Sequence, residues 1–170
     1  QTMLVGRKAV NYYRFRDREF AAAWSGLSDN PSFVNASKVA AALFAAASTS
    51  ADAKVEVEDV GVLHGVDEVH IVFTKFKSMI TQEPVAVQIL PVVFKDEAAL
   101  EAKNKGELLP QYEFEPSPET VLDALLPKYI EARVYNALLQ SAASEHAARR
   151  RAMKSATDNA DELIKGLTRL

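Results

Sequence analysis

Three histidines, His64, His70 and His146, are the side chains of this chain best able to ligate a metal or move a proton near neutral pH. Metal binding needs them grouped, and the helical spacing that would put two ligands on one face fails, because Arg150 stands four residues after His146. Exposed or singly hydrogen-bonded histidines are the simpler reading. The absence of cysteine removes thiolate ligands, disulfides and a cysteine nucleophile, and permits a reducing compartment. No serine, histidine and carboxylate stand in a recognisable nucleophile motif, which leaves open only a triad assembled in space. Gly6, Gly26, Gly61, Gly65, Gly106 and Gly166 are scattered, and no G-x-x-x-x-G-K-[ST] run is present to cradle a phosphate. The expectation is no catalytic residue, no metal site and no cofactor.

The charges point the same way. Arg149-Arg150-Arg151 could meet nucleic acid, but consecutive helical residues lie about 100° apart, so the three fan around a helix instead of lining a groove. A net charge of −3 and a pI near 5.7 supply no global basic field. No nucleic-acid partner is expected. Glu145 and Arg149 form an i,i+4 pair that is either a solvated bridge or, on a helix seam, a contact fixing register with a second helix. Glu56, Glu58 and Asp59 read as one solvated loop edge, with a partner-binding or regulatory loop as the sharper alternative.

The elements that would carry these residues can be traced along the chain. "TMLVG" followed by "RKAVNYY" is a strand-then-helix α/β step, and "REFAAAWSGL" a second strand closed by Ser28-Asp29-Asn30-Pro31. "NASKVAAALFAAA" is an alanine-rich helix with Asn35 as its N-cap. Its apolar run from Val39 to Ala47 is far short of the roughly 20 residues that span a membrane. Ser48 to Asp67 begins polar and mobile, alternates briefly at Lys54 to Glu58, and reads as a surface loop or hairpin. "EVHIVFTKF" is rich in β-branched and aromatic residues and predicts a strand, with "EPVAVQILPVVF" as its partner. Lys95 to Gly106 is a charged connector.

After "YEFEPSP" the pattern turns helical, with Ser117 as N-cap and Pro118 in the first turn. Only Pro127 interrupts it. If a new segment starts there, the helix to Leu170 runs roughly 65 Å at about 1.5 Å per residue. A seam of threes and fours passes through Tyr135, Leu138, Ala142, Glu145, Arg149, Ala152 and Ala156. It continues after a stutter through Ala160, Leu163, Leu167 and Leu170. No other segment is long enough to cover this stripe. The opening lacks an initiator methionine and the last turn lacks a stop signal, so the chain is expected to be the interior of a longer protein.

The stretch "SEHAARRRAMKSATDNADELIKGL" resembles the C-terminal helix of the gamma subunits of F-type ATP synthases, whose pattern is S-E-x-A-A-R-x-x-A-M-x-x-A-T-x-N-A. Ser144, Glu145, Ala147, Ala148, Arg149, Ala152, Met153, Ala156, Thr157, Asn159 and Ala160 all match it. The likeness extends through "YEFEPSPETVLDALLPKYIEARVYNALL", "VHIVFTKFKSMITQEPVAVQILP", "GLSDNPSF" and "MLVGRKAVNYY". Ser48 to Gly65 is longer than the connection most members have and is similar to the extended loop of actinobacterial members. The family's N-terminal helix, its "DRGLCGG"-like segment and its extreme C-terminal signature are not in this sequence.

The resemblance implies an α/β fold: a Rossmann-like three-layer globular domain at 1–117, with an insertion at about 48–65. A helical segment at 118–170 follows, mostly one long helix forming half of an antiparallel coiled coil. It implies a non-catalytic rotor shaft of the central stalk, peripheral on the cytoplasmic face of a bacterial plasma membrane. Its partners would be the epsilon subunit, the membrane rotor ring, the alpha/beta catalytic hexamer and its own N-terminal helix. By the same resemblance Tyr129 to Leu139 form the foot, and Tyr135, Leu138, Glu145, Arg149, Met153, Thr157 and Asn159 are the partner-contacting residues. The insertion, touching a stationary or ring surface, would restrain rotation. A stand-alone α/β enzyme with a helical appendage, or a generic coiled-coil scaffold, are the competing readings.

Overall fold

The computed structural model describes residues 1–27, 29–92 and 113–169. The charged connector Lys95 to Gly106 lies outside them. Strand β1 (Met3–Val5), helix α1 (Arg7–Phe15) and strand β2 (Ala22–Trp24) form the first unit, and β1 pairs in parallel with β2, Leu4 opposite Ala23. This is the expected strand–helix–strand step. Gly6, with φ of 108°, makes the turn out of β1, a backbone conformation that L side chains rarely adopt.

Helix α2 (Phe33–Ala47) starts two residues before Asn35. Ser32 is the cap instead: its side chain accepts a hydrogen bond from the Asn35 backbone N–H at 3.3 Å. Asn35 is a strong capping type, but Ser32 stands one turn earlier, which lets Phe33 and Val34 join the helix. Ala36, Val39, Ala40, Ala42 and Ala46 form its buried stripe. Small side chains here let the neighbouring elements approach closely.

Strands β3 (Lys54–Val57) and β4 (Gly61–His64) make an antiparallel hairpin from the segment read as mobile. The hairpin is docked. Leu63 is fully buried between Ala42 and Ala46 of α2, and Val66 N–H bonds the Ala46 carbonyl at 3.0 Å. Gln1 donates to the His64 carbonyl and accepts from the His64 N–H, at 2.5 and 3.2 Å. Gly65 passes so near Ser50 that a Cβ there would lie 2.0 Å from its carbonyl oxygen. The alternation at Lys54 to Glu58 corresponds to β3, with Val55 and Val57 half-buried, while the polar composition around it hid the burial of Leu63.

Strands β5 (Val69–Phe76) and β6 (Gln82–Leu90) form the longest hairpin, antiparallel with an irregularity at Val69/His70. Helix α3 (Pro118–Thr168) then runs unbroken for 51 residues, about 76 Å. Ser117 caps it through the Thr120 N–H at 3.3 Å, Pro118 opens its first turn, and Glu119 follows. The Glu119 carboxyl is held below its usual range, first by its own backbone N–H and then by Ser117. Pro127 does not start a new segment. It removes one N–H from the ladder, which costs roughly 3 kcal/mol in a helix interior, and the burial of Ile130 and Val134 just beyond offsets that.

Among the described residues the strands form three two-stranded sheets, one parallel and two antiparallel. The domain is thus a mixed helix-and-strand fold carrying a long C-terminal helix. Its main core joins Leu27, Ala36, Val39, Val69, Ile89, Ile130 and Val134, so the fourth and fifth turns of α3 share one interior with the strands. Truncating Leu63 to alanine should cost about 2–5 kcal/mol in denaturant unfolding. A loss within about 0.5 kcal/mol, typical of a surface position, would mean that the hairpin is only loosely docked.

Candidate interaction site along the long helix

Three zones divide α3. In the lowest, Ile130 and Val134 are buried, and Tyr135 and Leu138 pack half-buried against the same core. The Tyr135 ring meets Phe33 edge-on, with centroids 5.7 Å apart and planes at 82°. Two expected partner contacts therefore already serve the domain's own packing. A Tyr135→Ala change would remove folding energy as well as any external contact. Higher up, the Ser144 hydroxyl donates to the Thr74 carbonyl at 3.2 Å and the Gln140 side-chain oxygen accepts from the Phe76 N–H at 3.0 Å. These bonds stitch the helix to the end of β5.

The middle zone is a collar. Arg149 donates from both terminal nitrogens to Asp29 Oδ1 at 3.3 Å and from one of them, Nη2, to Glu145 Oε1 at 2.6 Å, while His146 Nε2 lies 3.3 Å from the Asp29 carbonyl. Two residues on, Arg151 donates to the Ile80 carbonyl at 2.5 Å and the Gln82 side-chain oxygen at 2.6 Å. Two residues correspond to about 200° around a helix. The fan expected of the three arginines is therefore a grip on two sides: Arg149 holds the loop at Asp29 and Arg151 holds the tip of the β5–β6 hairpin. Sequence reasoning missed Arg151, because its partners are a backbone carbonyl and a side-chain amide some 70 positions away. The hairpin tip is itself braced. Lys77 pairs with Glu83 and, first by hydrogen bond and then by charge, holds the Glu83 carboxyl below its usual range.

From Ala148 through Arg169 every described residue is exposed. This upper zone carries Met153, Thr157 and Asn159. The Thr157 hydroxyl donates back to the Met153 carbonyl at 3.1 Å, leaving the Met153 side chain 67 % exposed. Leu163, Ile164 and Leu167 are 69, 60 and 72 % exposed, an apolar stripe with no cover among the described residues. Lys154 and Asp158 add an i,i+4 pair on the same turns.

His64, His70 and His146 lie apart, His70 beside Glu68 at 3.1 Å and His146 at the collar. Among the described residues no group of three or more His, Asp or Glu is placed to hold a metal, and no helix is long and apolar enough to cross a membrane. Fold and surface together define a helix-presenting α/β domain: a folded base, a polar collar and a bare rod.

The ATP synthase family matches residues 1–170, and the chain belongs to it. It is 54 % identical over 169 residues to the ATP synthase gamma chain of Streptomyces griseus, covering 99 % of this chain and 52 % of that one. The gamma chain of Acidothermus cellulolyticus is also 54 % identical, over 167 residues covering 98 % of this chain and 51 % of the relative. The chain thus spans about half the length of these curated relatives. Two solved structures share the fold. The central stalk and c-ring structure of Tetrahymena thermophila mitochondrial ATP synthase matches with a TM-score of 0.52 at 20 % identity, over 92 % of this chain and 76 % of that one. The rotor of Euglena gracilis mitochondrial ATP synthase matches at 0.57 and 18 %, over 96 % and 58 %.

Removing the Arg151 guanidinium should free the hairpin tip while leaving the core intact. In Arg151→Ala, amides from Lys77 to Gln82 should exchange up to about tenfold faster, since a hydrogen bond to a charged group is worth about 1.5–3 kcal/mol before solvent discounts it. The unfolding midpoint should barely move. Unchanged exchange would show that the tip is held without this arginine.

Proposed function

We propose that this chain is the globular base and lower C-terminal helix of a central-stalk rotor subunit, which couples rotation of a membrane ring to ATP synthesis or hydrolysis in a catalytic hexamer. The single observation carrying this reading is the shape of α3, a continuous helix packed into the domain at its base and bare above Ala147. Family membership supports the same role. A shaft needs stiffness and grip, not an acid, base or nucleophile, and the subunit is read as non-catalytic. Rigid transmission requires that the base follow the rod, and the collar at Arg149 and Arg151 links the two on opposite sides.

In this reading the apolar stripe of Leu163, Ile164 and Leu167 is covered by the gamma chain's N-terminal helix in an antiparallel coiled coil. The upper rod, with Met153, Thr157 and Asn159, turns inside the alpha/beta hexamer. Glu145 and Arg149 fix the register there, and Tyr135 and Leu138 stiffen the foot from within. The base rests on the membrane ring beside epsilon, peripheral on the cytoplasmic face of a bacterial plasma membrane. The docked 48–65 hairpin is a rigid projection able to touch a stationary or ring surface during a turn.

Mixing the purified chain with the epsilon subunit should give a stoichiometric complex in size-exclusion chromatography with light scattering. Placing charge on the apolar stripe, Leu163→Asp with Leu167→Asp, should leave that complex intact, because the foot is remote from the stripe. Failure of the unmodified chain to bind epsilon would overturn the assignment of the foot.

A further inference from the structure

Helix α1 and the turn after it concentrate positive charge. Between Arg7 and Arg18 the sequence has five cations, Arg7, Lys8, Arg14, Arg16 and Arg18, against one carboxylate, Asp17. That is +4 within twelve residues of a chain whose total is −3, so the other 158 residues carry −7. Elsewhere on the surface Lys38, Lys77, Arg149 and Lys154 each pair with a carboxylate, whereas among the described residues none of these five does. The placement also works against the helix. Gly6 caps it without a side-chain bond, the first turn has no acidic residue, and Arg7 and Lys8 stand at the end where the helix dipole favours negative charge. Choices that oppose local stability in this way are characteristic of residues kept for an outside contact.

The same element exposes aromatic surface in a fixed arrangement. Val10 is its buried anchor and Ala9 and Tyr13 are half-buried, which turns Lys8, Asn11, Tyr12 and Phe15 outward. Lys8, Tyr12 and Phe15 follow the i, i+4, i+7 spacing of one helical face. Phe15 is 82 % exposed and Tyr12 50 %. The Arg16 guanidinium lies over the Tyr12 ring, 5.8 Å from its centroid, and Tyr13 meets that ring edge-on at 6.2 Å. Asp17, in the left-handed conformation with φ of 50°, ends the helix, and the Arg18 N–H bonds the Tyr13 carbonyl at 2.9 Å. Arg16 and Arg18 therefore project from a closed turn, not from a loose tail.

We infer that this face of α1 docks an acidic segment of another protein subunit. An apolar side chain of that segment covers Phe15 and Tyr12, and its carboxylates pair with Arg14, Arg16 and Arg18. A wholly apolar partner would bury the cations unpaired, which is costly. An extended polyanion, whether nucleic acid or an anionic lipid surface, would meet the −7 of the remaining chain as well as the +4 of the patch. A helix lying in a membrane interface also needs a broad apolar face, and α1 offers Phe15 and one phenol. Arginine and aromatic rings held rigidly over a small area are the types that anchor protein interfaces, and unpaired charge around them steers the approach of an opposite charge. The inference uses the family membership only to choose an assembled ATP synthase as the place to look, and it does not depend on what covers the rod.

The test places a photo-crosslinker at the centre of the face, Phe15→p-benzoylphenylalanine, in the complete gamma chain assembled in an ATP-hydrolysing complex. Illumination should join it to one site on another subunit, with at least two Asp or Glu side chains within about 10 Å, the reach of a charge at 0.1 M salt. Adding Arg14→Glu and Arg16→Glu should lower the yield at least about tenfold, as expected for breaking charge pairs at an interface. Changing the partner's carboxylates to lysine in that variant should restore it. Arg14→Gln with Arg16→Gln, which removes charge without adding repulsion, should lower the yield in the same direction. The inference is overturned if no crosslink forms or if the joined site lacks carboxylates. It is equally overturned if lipid, nucleic acid or the unmatched half of the same subunit is joined instead, or if both charge variants crosslink as well as the parent. Epsilon binding by the purified chain reads the shaft assignment separately, so failure of one result leaves the other standing.

Discussion

Burial of Ile130 and Val134 is what allows the rest of α3 to exist as a helix in water. Starting a helix is costly, whereas each added residue is close to neutral or slightly favourable. The domain offsets the cost of starting by sealing the fourth and fifth turns into its core, with Ile130 fully buried and Val134 nearly so. Every turn above Ala147 extends a ladder already begun, helped by alanine, lysine and glutamate and by pairs such as Lys154 with Asp158. No burial adds to it there. The upper rod is helical by propagation, and its exposed leucines are the surface on which a second helix would add the missing free energy, about 1.5–3 kcal/mol for each large side chain covered.

The same constraint explains the collar. A long lever held only at its root would bend at the point where packing ends, near Ala147. Arg149 and Arg151 stand just above that point and grip elements on opposite sides, the loop at Asp29 and the tip at Ile80. Individually these exposed bonds contribute little to folding. Their value lies in direction: together they resist rotation of the rod relative to its base, which buried apolar contacts near the axis do poorly.

Local chemistry made much of this legible in the sequence. Ser117 and Pro118 mark the start of α3 because capping is a short-range rule, and the β-branched run at Val69 to Phe76 marks β5 for the same reason. The seam of threes and fours placed Leu163 and Leu167 correctly on a bare stripe. What escaped depended on distant partners. Asn35 looked the better cap until Ser32 was seen to hold its N–H. Pro127 looked like a boundary because the burial that offsets it comes from α2 and the strands. A hairpin was legible from the alternation at Lys54 to Glu58, but its docking was hidden behind a polar outer face, since the niche for Leu63 is made by alanines of α2. The family resemblance named the rod but not Arg151.

The most direct test of the central claim is the distance along the rod. Spin labels at Ser141, where α3 lies on the domain, and at Lys165, near its far end, are separated by about 36 Å if the helix is continuous at 1.5 Å per residue. Pulsed dipolar spectroscopy on the intact chain should return a single narrow distribution at that separation, broadened only by the label linkers. A short or multimodal distribution, with the upper segment folded back toward the base, would contradict the account.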